Sequence, residues 1–257
     1  MNNTTYRDEI ASTSIYDLRA SVPARNSGIG NIPSFSTLPG NALLFLGDTS
    51  KNPGAACVDV IGTCTNCAEC FGSGRGYVPC YAAGNVRQYR ETARAYARNT
   101  RLLREAPNFL LLSVCAAINY HGRELFRFNV SGDVENVEQL KNFYFPICDS
   151  FPGVRFAIYT KRHDLFQQAA DEGAPIPDNL AVNWSLWNRR PTTEEQATAA
   201  EYGFQFVIYD DSTRDGMQEL PHCPKNDKHG RKTGMTCDRC KICYNKRPSG
   251  QLAIYAH

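Results

Sequence analysis

Leu125-Phe126-Arg127-Phe128-Asn129-Val130 is a short run of aromatic and β-branched residues that stops in a polar triplet, Ser131-Gly132-Asp133. A run of this length and composition, closed by Ser, Gly and Asp, reads as a buried strand. The same pattern returns three times downstream. Strands are predicted at Val154 to Thr160, Leu180 to Leu186 and Phe204 to Tyr209, each again closed by polar residues: Lys161-Arg162, Trp187-Asn188-Arg189 and Asp210-Asp211-Ser212. Helical segments separate these strands. One spans about Val137 to Ser150, with Pro146 predicting a kink or an early end. A second spans Asp164 to Glu172 and is closed by Gly173. A third spans Thr193 to Tyr202, opened by a Thr192/Glu195 capping box and closed by Gly203. Strict strand–helix alternation implies an α/β fold, a parallel sheet with helices outside, open or curled as a partial (β/α) barrel.

Upstream of this unit the sequence is less regular. Ala42 to Leu46 reads as a short strand. Gly54 to Gly84 is rich in Gly and Cys and too irregular for a regular element. Tyr89, Ala93, Tyr96, Thr100 and Leu103 then mark one face of a helix from Asn85 to Glu105. A second helix runs from Pro107, a favoured first-turn residue, to about Tyr120. Residues 1–40 are polar and punctuated by Pro and Gly, an extended arm. From Pro221 the alternation is lost among Lys, Arg and Cys. The expected division is therefore an arm (1–40), an α/β domain (41–220) and a Cys-rich tail (221–257).

The composition bounds the function classes. With 257 residues, 42% apolar residues and 21% charged residues, the chain has material for a sizeable core. No apolar run approaches the roughly 18 residues that span a bilayer. The first nineteen residues have no apolar segment of a secretory kind, so the expected location is the cytoplasm. Thiols stay reduced there, and the 11 cysteines point to metal binding or catalysis rather than to a disulfide framework.

Eight of those cysteines form two like sets. Cys64, Cys67 and Cys70 are followed at a distance by Cys80, and Cys237, Cys240 and Cys243 are preceded at a distance by Cys223. Cys-x2-Cys-x2-Cys with a remote fourth thiol suits a four-iron iron–sulfur cluster, whose separate iron corners each want a thiolate. Zinc usually takes two Cys-x2-4-Cys pairs; it stays open as the alternative at the tail, where such ribbons are common. Cys115 and Cys148 fall in apolar helices and read as core thiols. The sequence leaves open which remote cysteine completes which triplet.

These pieces resemble the phage gene product 88 family. The matching stretches are Asn31-Ile32-Pro33-Ser34-Phe35 with Leu38-Pro39, Gly62-Thr63-Cys64, Cys80-Tyr81-Ala82, the helix carrying Asn99, Phe126 to Asp133, Phe156 to Lys161, and the terminal triplet. The family is distantly similar to radical S-adenosylmethionine enzymes, which use a partial β/α barrel with a cluster loop after the first strand. The resemblance implies an iron–sulfur cluster at the first set and S-adenosylmethionine as a possible cofactor. Ser131, Gly132 and Asp133 would hold its amino group, and Thr160, Lys161 and Ser185 would line the pocket. The usual triplet of those enzymes is Cys-x3-Cys-x2-Cys, and this chain departs from it.

One other feature points to a partner. Arg87, Arg90, Arg94, Arg98, Arg101 and Arg104 recur at spacings of three and four, one face of a helix, where they either track nucleic-acid phosphates or are simply solvated. Trp184 and Trp187, three apart on a strand, are expected on opposite faces.

Overall fold

The computed structural model describes residues 20–24, 29–40, 60–64, 80–187, 189–210, 220–225, 232–248 and 250–255. Its centre is a six-stranded, all-parallel sheet in strict sequence order. The strands are β1 (Ser34–Phe35), β2 (Leu125–Phe128), β3 (Arg155–Thr160), β4 (Leu180–Trp187), β5 (Gln205–Asp210) and β6 (Gln251–Tyr255). β1 and β6 are the outermost strands of this order and do not pair with each other, so among the described residues the sheet does not close. When each strand adds on the same side of the last, right-handed crossovers put all the helices on one face. The result is the partial barrel that the alternation implied.

The helices, in chain order, are α1 (Tyr81–Gln88), α2 (Arg90–Glu105), α3 (Pro107–His121), α4 (Val137–Gln139), α5 (Phe145–Ser150), α6 (His163–Asp171), α7 (Thr193–Tyr202) and the short α8 (Cys237–Cys240). One large apolar cluster joins α2 to α7 to the outer face of the sheet. Phe126, Phe128, Phe156, Ile158, Val182, Trp184, Phe206 and Ile208 pack there against Leu140, Phe143, Leu165, Phe166 and Ala199. Alternate strand residues point the same way, so this face takes every second position of four strands. Each such side chain contributes about 1.5–3 kcal/mol on full burial.

Several elements differ from their sequence reading, each for a physical reason. The helix expected from Asn85 to Glu105 is two helices, because Tyr89 is extended (φ −114°, ψ 104°). The break costs little hydrogen bonding: the Tyr89 N–H still donates to the Asn85 carbonyl and the Ala93 N–H to the Tyr89 carbonyl. Pro146 does not end its helix. A π turn, Leu140–Tyr144, joins α4 to α5 and widens the backbone just before the proline ring. The capping box at Thr192 and Glu195 and the left-handed Gly203 (φ +75°) are both present. Trp184 faces the helices and packs on His163, Phe204 and Phe206, while Trp187 stacks on Tyr209 at 4.1 Å.

The two ends of the chain are more deeply built into the fold than arm and appendage. The arm supplies β1, whose register sets Phe35 beside Phe128. It is clamped by Asn99 of α2, which accepts from the Ser21 N–H and donates to the Ser21 and Ser36 carbonyls. The tail supplies β6, a strand the sequence reading did not contain, and Pro221 to Cys223 runs alongside it through bonds to Ala253. The expected strand Ala42 to Leu46 lies outside the described residues.

The arm and tail meet on the inner face of the sheet, opposite the face that α2 to α7 cover. Ile29, Ile32, Leu125, Val130, Ala157 and Tyr244 form a second buried cluster there, flanked by Tyr159 and Cys237. Contact is close: Gly30 (φ +89°) has no room for a Cβ, which would stand 2.5 Å from Asp238 Oδ1. The 3-10 turn Ile242–Tyr244 packs on β3 and β4.

Candidate metal centres

The tail centre is built on polar side chains in the middle of otherwise apolar strands. Tyr159, Asn183 and Gln205 are register neighbours across β3, β4 and β5 on the inner face. Gln205 donates to Asn183 Oδ1 at 2.8 Å, and both amides donate to the Cys243 carbonyl at 3.2 Å. The Tyr159 hydroxyl donates to the Cys243 thiol. These contacts fix the last turn of the tail against the sheet. Cys237 and Cys240, the ends of α8, and Cys223, beside β6, then face the same cavity as Cys243. This cavity of about 20 Å³ is also lined by Tyr244 and Leu252. Lys241, in a left-handed conformation (φ +58°), makes the sharp turn that brings Cys243 round.

The thiols feel one another. Burial pushes the Cys243 thiol up to about 11, against the Tyr159 hydrogen bond, with Cys223 and Cys237 adding to the rise. Burial likewise raises Cys237 and Cys223. Among the described residues no three Cys, His, Asp or Glu side chains stand close enough to hold a single metal ion. The four thiols therefore share a cavity without closing into a tetrahedron.

Arg127, absent from the sequence-predicted set, lies beside this centre. Its guanidinium carbon stands 3.9 Å from the centroid of the Tyr159 ring. Burial works against its charge, but the phenols of Tyr159, Tyr81 and Tyr244 and the Cys237 thiol hold it firmly protonated. A charged residue in the middle of Leu125–Phe128, as Asn183 and Gln205 are in theirs, was the available signal: a polar side chain inside a buried strand needs a reason.

The two described members of the first set, Cys64 and Cys80, lie near the carboxyl ends of β1 and β2. Cys64 and Cys80 flank one small apolar cluster with Leu38, Ala83, Val86 and Ala93, and both lie within electrostatic reach of the Tyr81 hydroxyl. That hydroxyl donates to the Val130 carbonyl. Cys67 and Cys70 are outside the described residues. Cys80 and Cys64 thus border one cluster, and Cys223 shares a cavity with the terminal triplet. Cys148 is fully buried and Cys115 half-buried against the main core, as read.

Ser131-Gly132-Asp133 is the joint that holds Cys64 in place. Thr63 Oγ1 accepts from the Asp133 N–H at 2.8 Å and shares a 2.9 Å bond with Thr37 Oγ1. The Thr63 N–H donates to the Leu38 carbonyl and the Thr37 N–H to the Ser131 carbonyl. Asp133 stitches β2 to β3: Oδ1 accepts from the Thr160 hydroxyl at 2.6 Å and the Val134 N–H, and Oδ2 from the Lys161 N–H at 2.9 Å. Ser185 is half-buried on the inner face of β4, opposite Val207, and the Lys161 ammonium lies 5.1 Å from the Trp187 ring. Ser131, Asp133, Thr160, Lys161 and Ser185 thus gather at the carboxyl ends of β2, β3 and β4.

Burial pushes the Asp133 carboxyl above the usual carboxylate range, with its three donors pulling the other way. A carboxyl raised on folding favours the folded state in acid. Its contribution is full below the unfolded value near about 4 and is lost as pH rises through the folded value. D133N, uncharged throughout, is expected to flatten that part of the stability profile. D133A, which leaves three donors unanswered, is expected to cost about 3–5 kcal/mol. Urea melts across the pH range measure both.

The arginine face is partly spent on structure. Arg104 pairs with Glu135 and donates to the Ile61 and Gly62 carbonyls, and Arg94 pairs with Glu91. Arg87 belongs to α1, not to the same helix. Arg90, Arg94 and Arg98 remain exposed along α2.

A sequentially wound parallel sheet with thiols at its strand ends and a four-cysteine tail over its inner face defines a thiol-rich protein of the partial β/α-barrel class. The comparison with known families is specific. The chain belongs to the phage gene product 88 family, whose model, described as gene product 88, matches residues 37–246. No curated protein and no solved structure matches it. Among the described residues no helix is long and apolar enough to cross a membrane.

Proposed function

We propose that this chain is an iron–sulfur protein of a reducing cytoplasm with two thiolate centres. The first, at Cys64, Cys67, Cys70 and Cys80, carries the chemistry; the second, at Cys223, Cys237, Cys240 and Cys243, pins the tail to the sheet. The observation that carries the reading is the convergence of the four tail cysteines, scattered over 21 positions of sequence, on one cavity. Their spacing also bears on the metal. Zinc usually takes two Cys-x2-4-Cys pairs, whereas these ligands divide three and one. A cluster spreads its thiolates over separate irons.

The reading extends to a radical S-adenosylmethionine-like enzyme. Its support is the order of parts: edge strand, cysteine loop, helix, then successive parallel strands with polar residues at their carboxyl ends, where ligands bind in such folds. A cluster there would supply an electron to the bound methionine group. The chain's own residues would position that ligand. Ser131 and Ser185 offer hydroxyls, Lys161 a cation, and Gly132 the close backbone approach.

Anaerobic purification with iron, sulfide and zinc assays tests the first step. Iron and sulfide at the first set, abolished in C64S/C80S, are expected, together with a visible absorption band that changes on adding S-adenosylmethionine. Zinc alone, or no metal, would sink the reading. A second reading, a metal-stabilised nucleic-acid-binding protein, draws on the exposed Arg90, Arg94 and Arg98. Salt-dependent DNA binding lost in R94A/R98A would favour it.

A further inference from the structure

Arg127 lies on β2, facing the side of the sheet that the tail covers. Its Nε is buried with no hydrogen-bond partner. Other arginines of this fold find carboxylates: Arg104 takes Glu135, Arg162 takes Asp164 and Arg189 takes Glu195. Among the described residues no carboxylate pairs with Arg127. Asp238, the acid on α8, turns Oδ1 towards Gly30 instead.

A cation removed from water without a counter-charge is expensive. The face of Tyr159 offsets only part of that cost. The remaining neighbours are phenols and the tail thiols. A phenol, with an ordinary value of about 10, is neutral at neutral pH and supplies no counter-charge. Thiols give up their protons when a metal takes them. A metal held by four thiolates carries net negative charge, whether the metal is zinc or a cluster. With Asp238 turned to Gly30, metal loading would bring the missing counter-charge to this part of the fold, and Arg127 stands one ring away from Cys243.

We propose that Arg127 is the counter-charge of the tail metal centre, a positioning residue that binds no metal and balances the negative charge of its four thiolates. The proposal rests on the two-centre reading above. It makes a claim that a packing role does not: the arginine is a burden to the stripped protein and an asset to the loaded one.

The test uses full-length wild type, R127Q and R127K, each loaded and chelator-stripped, with C237S/C240S as the baseline for tail metal. Loaded R127Q is expected to yield its tail metal to a competing chelator about ten- to hundredfold more readily than wild type. R127K, which keeps the charge, is expected to recover most of that loss. Stripped R127Q is expected to melt no lower than stripped wild type, with the order reversed once loaded. If the metal is an iron cluster, its reduction potential moves to more negative values in R127Q, because a nearby positive charge stabilises the added electron. The proposal is overturned if R127Q holds metal as wild type does, if R127K fails as badly as R127Q, or if R127Q lowers loaded and stripped melts alike or does not fold when stripped. Wild type that holds no tail metal overturns the two-centre reading itself, an outcome distinct from all of these.

Discussion

Replacing Cys237 and Cys240 together by serine is expected to lower the thermal midpoint by about 10–20 °C and to expose the last strand to hydrogen exchange. The argument begins with how little else holds the tail. Between Cys223 and β6 its described attachments include Tyr244 and Cys237 at the inner-face cluster, the two amide bonds to the Cys243 carbonyl, the Tyr159 bond to the Cys243 thiol and an Arg155 bond to Asn245. The ion pairs Lys241–Glu124 and Lys246–Asp178 are exposed, a class that contributes about 0–1 kcal/mol each. A structural metal is of another order: its binding energy is folding energy, about 10–16 kcal/mol in small zinc modules. Even half of the lower figure, at about 2–4 °C per kcal/mol for a chain of this size, gives the shift stated. The effect does not stop at α8. β6 is an edge strand whose neighbour segment, Pro221 to Cys223, leads into the same centre. Loss of the metal should therefore raise exchange along Gln251–Tyr255 before β3 or β4. A melt and an exchange map identical to wild type in metal-replete protein would show that the thiols carry no load.

The sequence made the sheet legible because each central strand has both faces covered. Such strands are near-continuous apolar runs with polar ends, and the four read from periodicity match β2 to β5 to within two or three residues at each end. The edges were not legible. β1 is two residues long and β6 follows a stretch dominated by Lys, Arg and Cys, so neither carries a run long enough to stand out. The break at Tyr89 was hidden because no Gly or Pro marks it; the amphipathic pattern runs straight through. Cysteine spacing marked the two triplets and left the remote pair unassigned; the fold sets Cys223 at one cavity with the terminal triplet and Cys80 at one apolar cluster with Cys64. Spacing could not reveal the groove that receives them. That groove depends on Tyr159, Asn183 and Gln205 lying side by side, with Arg127 opposite Ala157 on the same face, and cross-strand neighbours are set by register rather than by local sequence. Asp133 shows the opposite limit. Its place at a strand end was readable, but not that its carboxylate would be spent on Thr160, Lys161 and Val134.

Gly132→Ala is expected to destroy the first centre while leaving the second intact. Two independent penalties meet at this residue. Its φ is +81°, a conformation that costs an L side chain roughly 1–2 kcal/mol. A Cβ would also lie 1.9 Å from Thr37 Oγ1 and 2.6 Å from Thr63 Oγ1, so one or both hydroxyls must move. They cannot move without breaking bonds, since Thr63 Oγ1 holds the Asp133 N–H and the Thr37 hydroxyl. Each buried donor left unpaired costs about 1–3 kcal/mol. Together the penalties come to about 3–5 kcal/mol, enough to displace the Gly62-Thr63-Cys64 segment rather than the strands. Gly62 cannot yield to accommodate the shift, as it is itself pressed against the Pro39 and Gly40 carbonyls. Cys64 would leave its place beside Cys80, and the first set would lose its lead ligand. The tail centre stands on β3 to β6 and shares none of these contacts. Metal analysis of purified G132A should therefore show loss at the first set with retention at the tail, alongside a lowered melt. Full metal at both sets would separate this joint from cysteine placement. Loss at both would show that the two ends of the chain load as one unit.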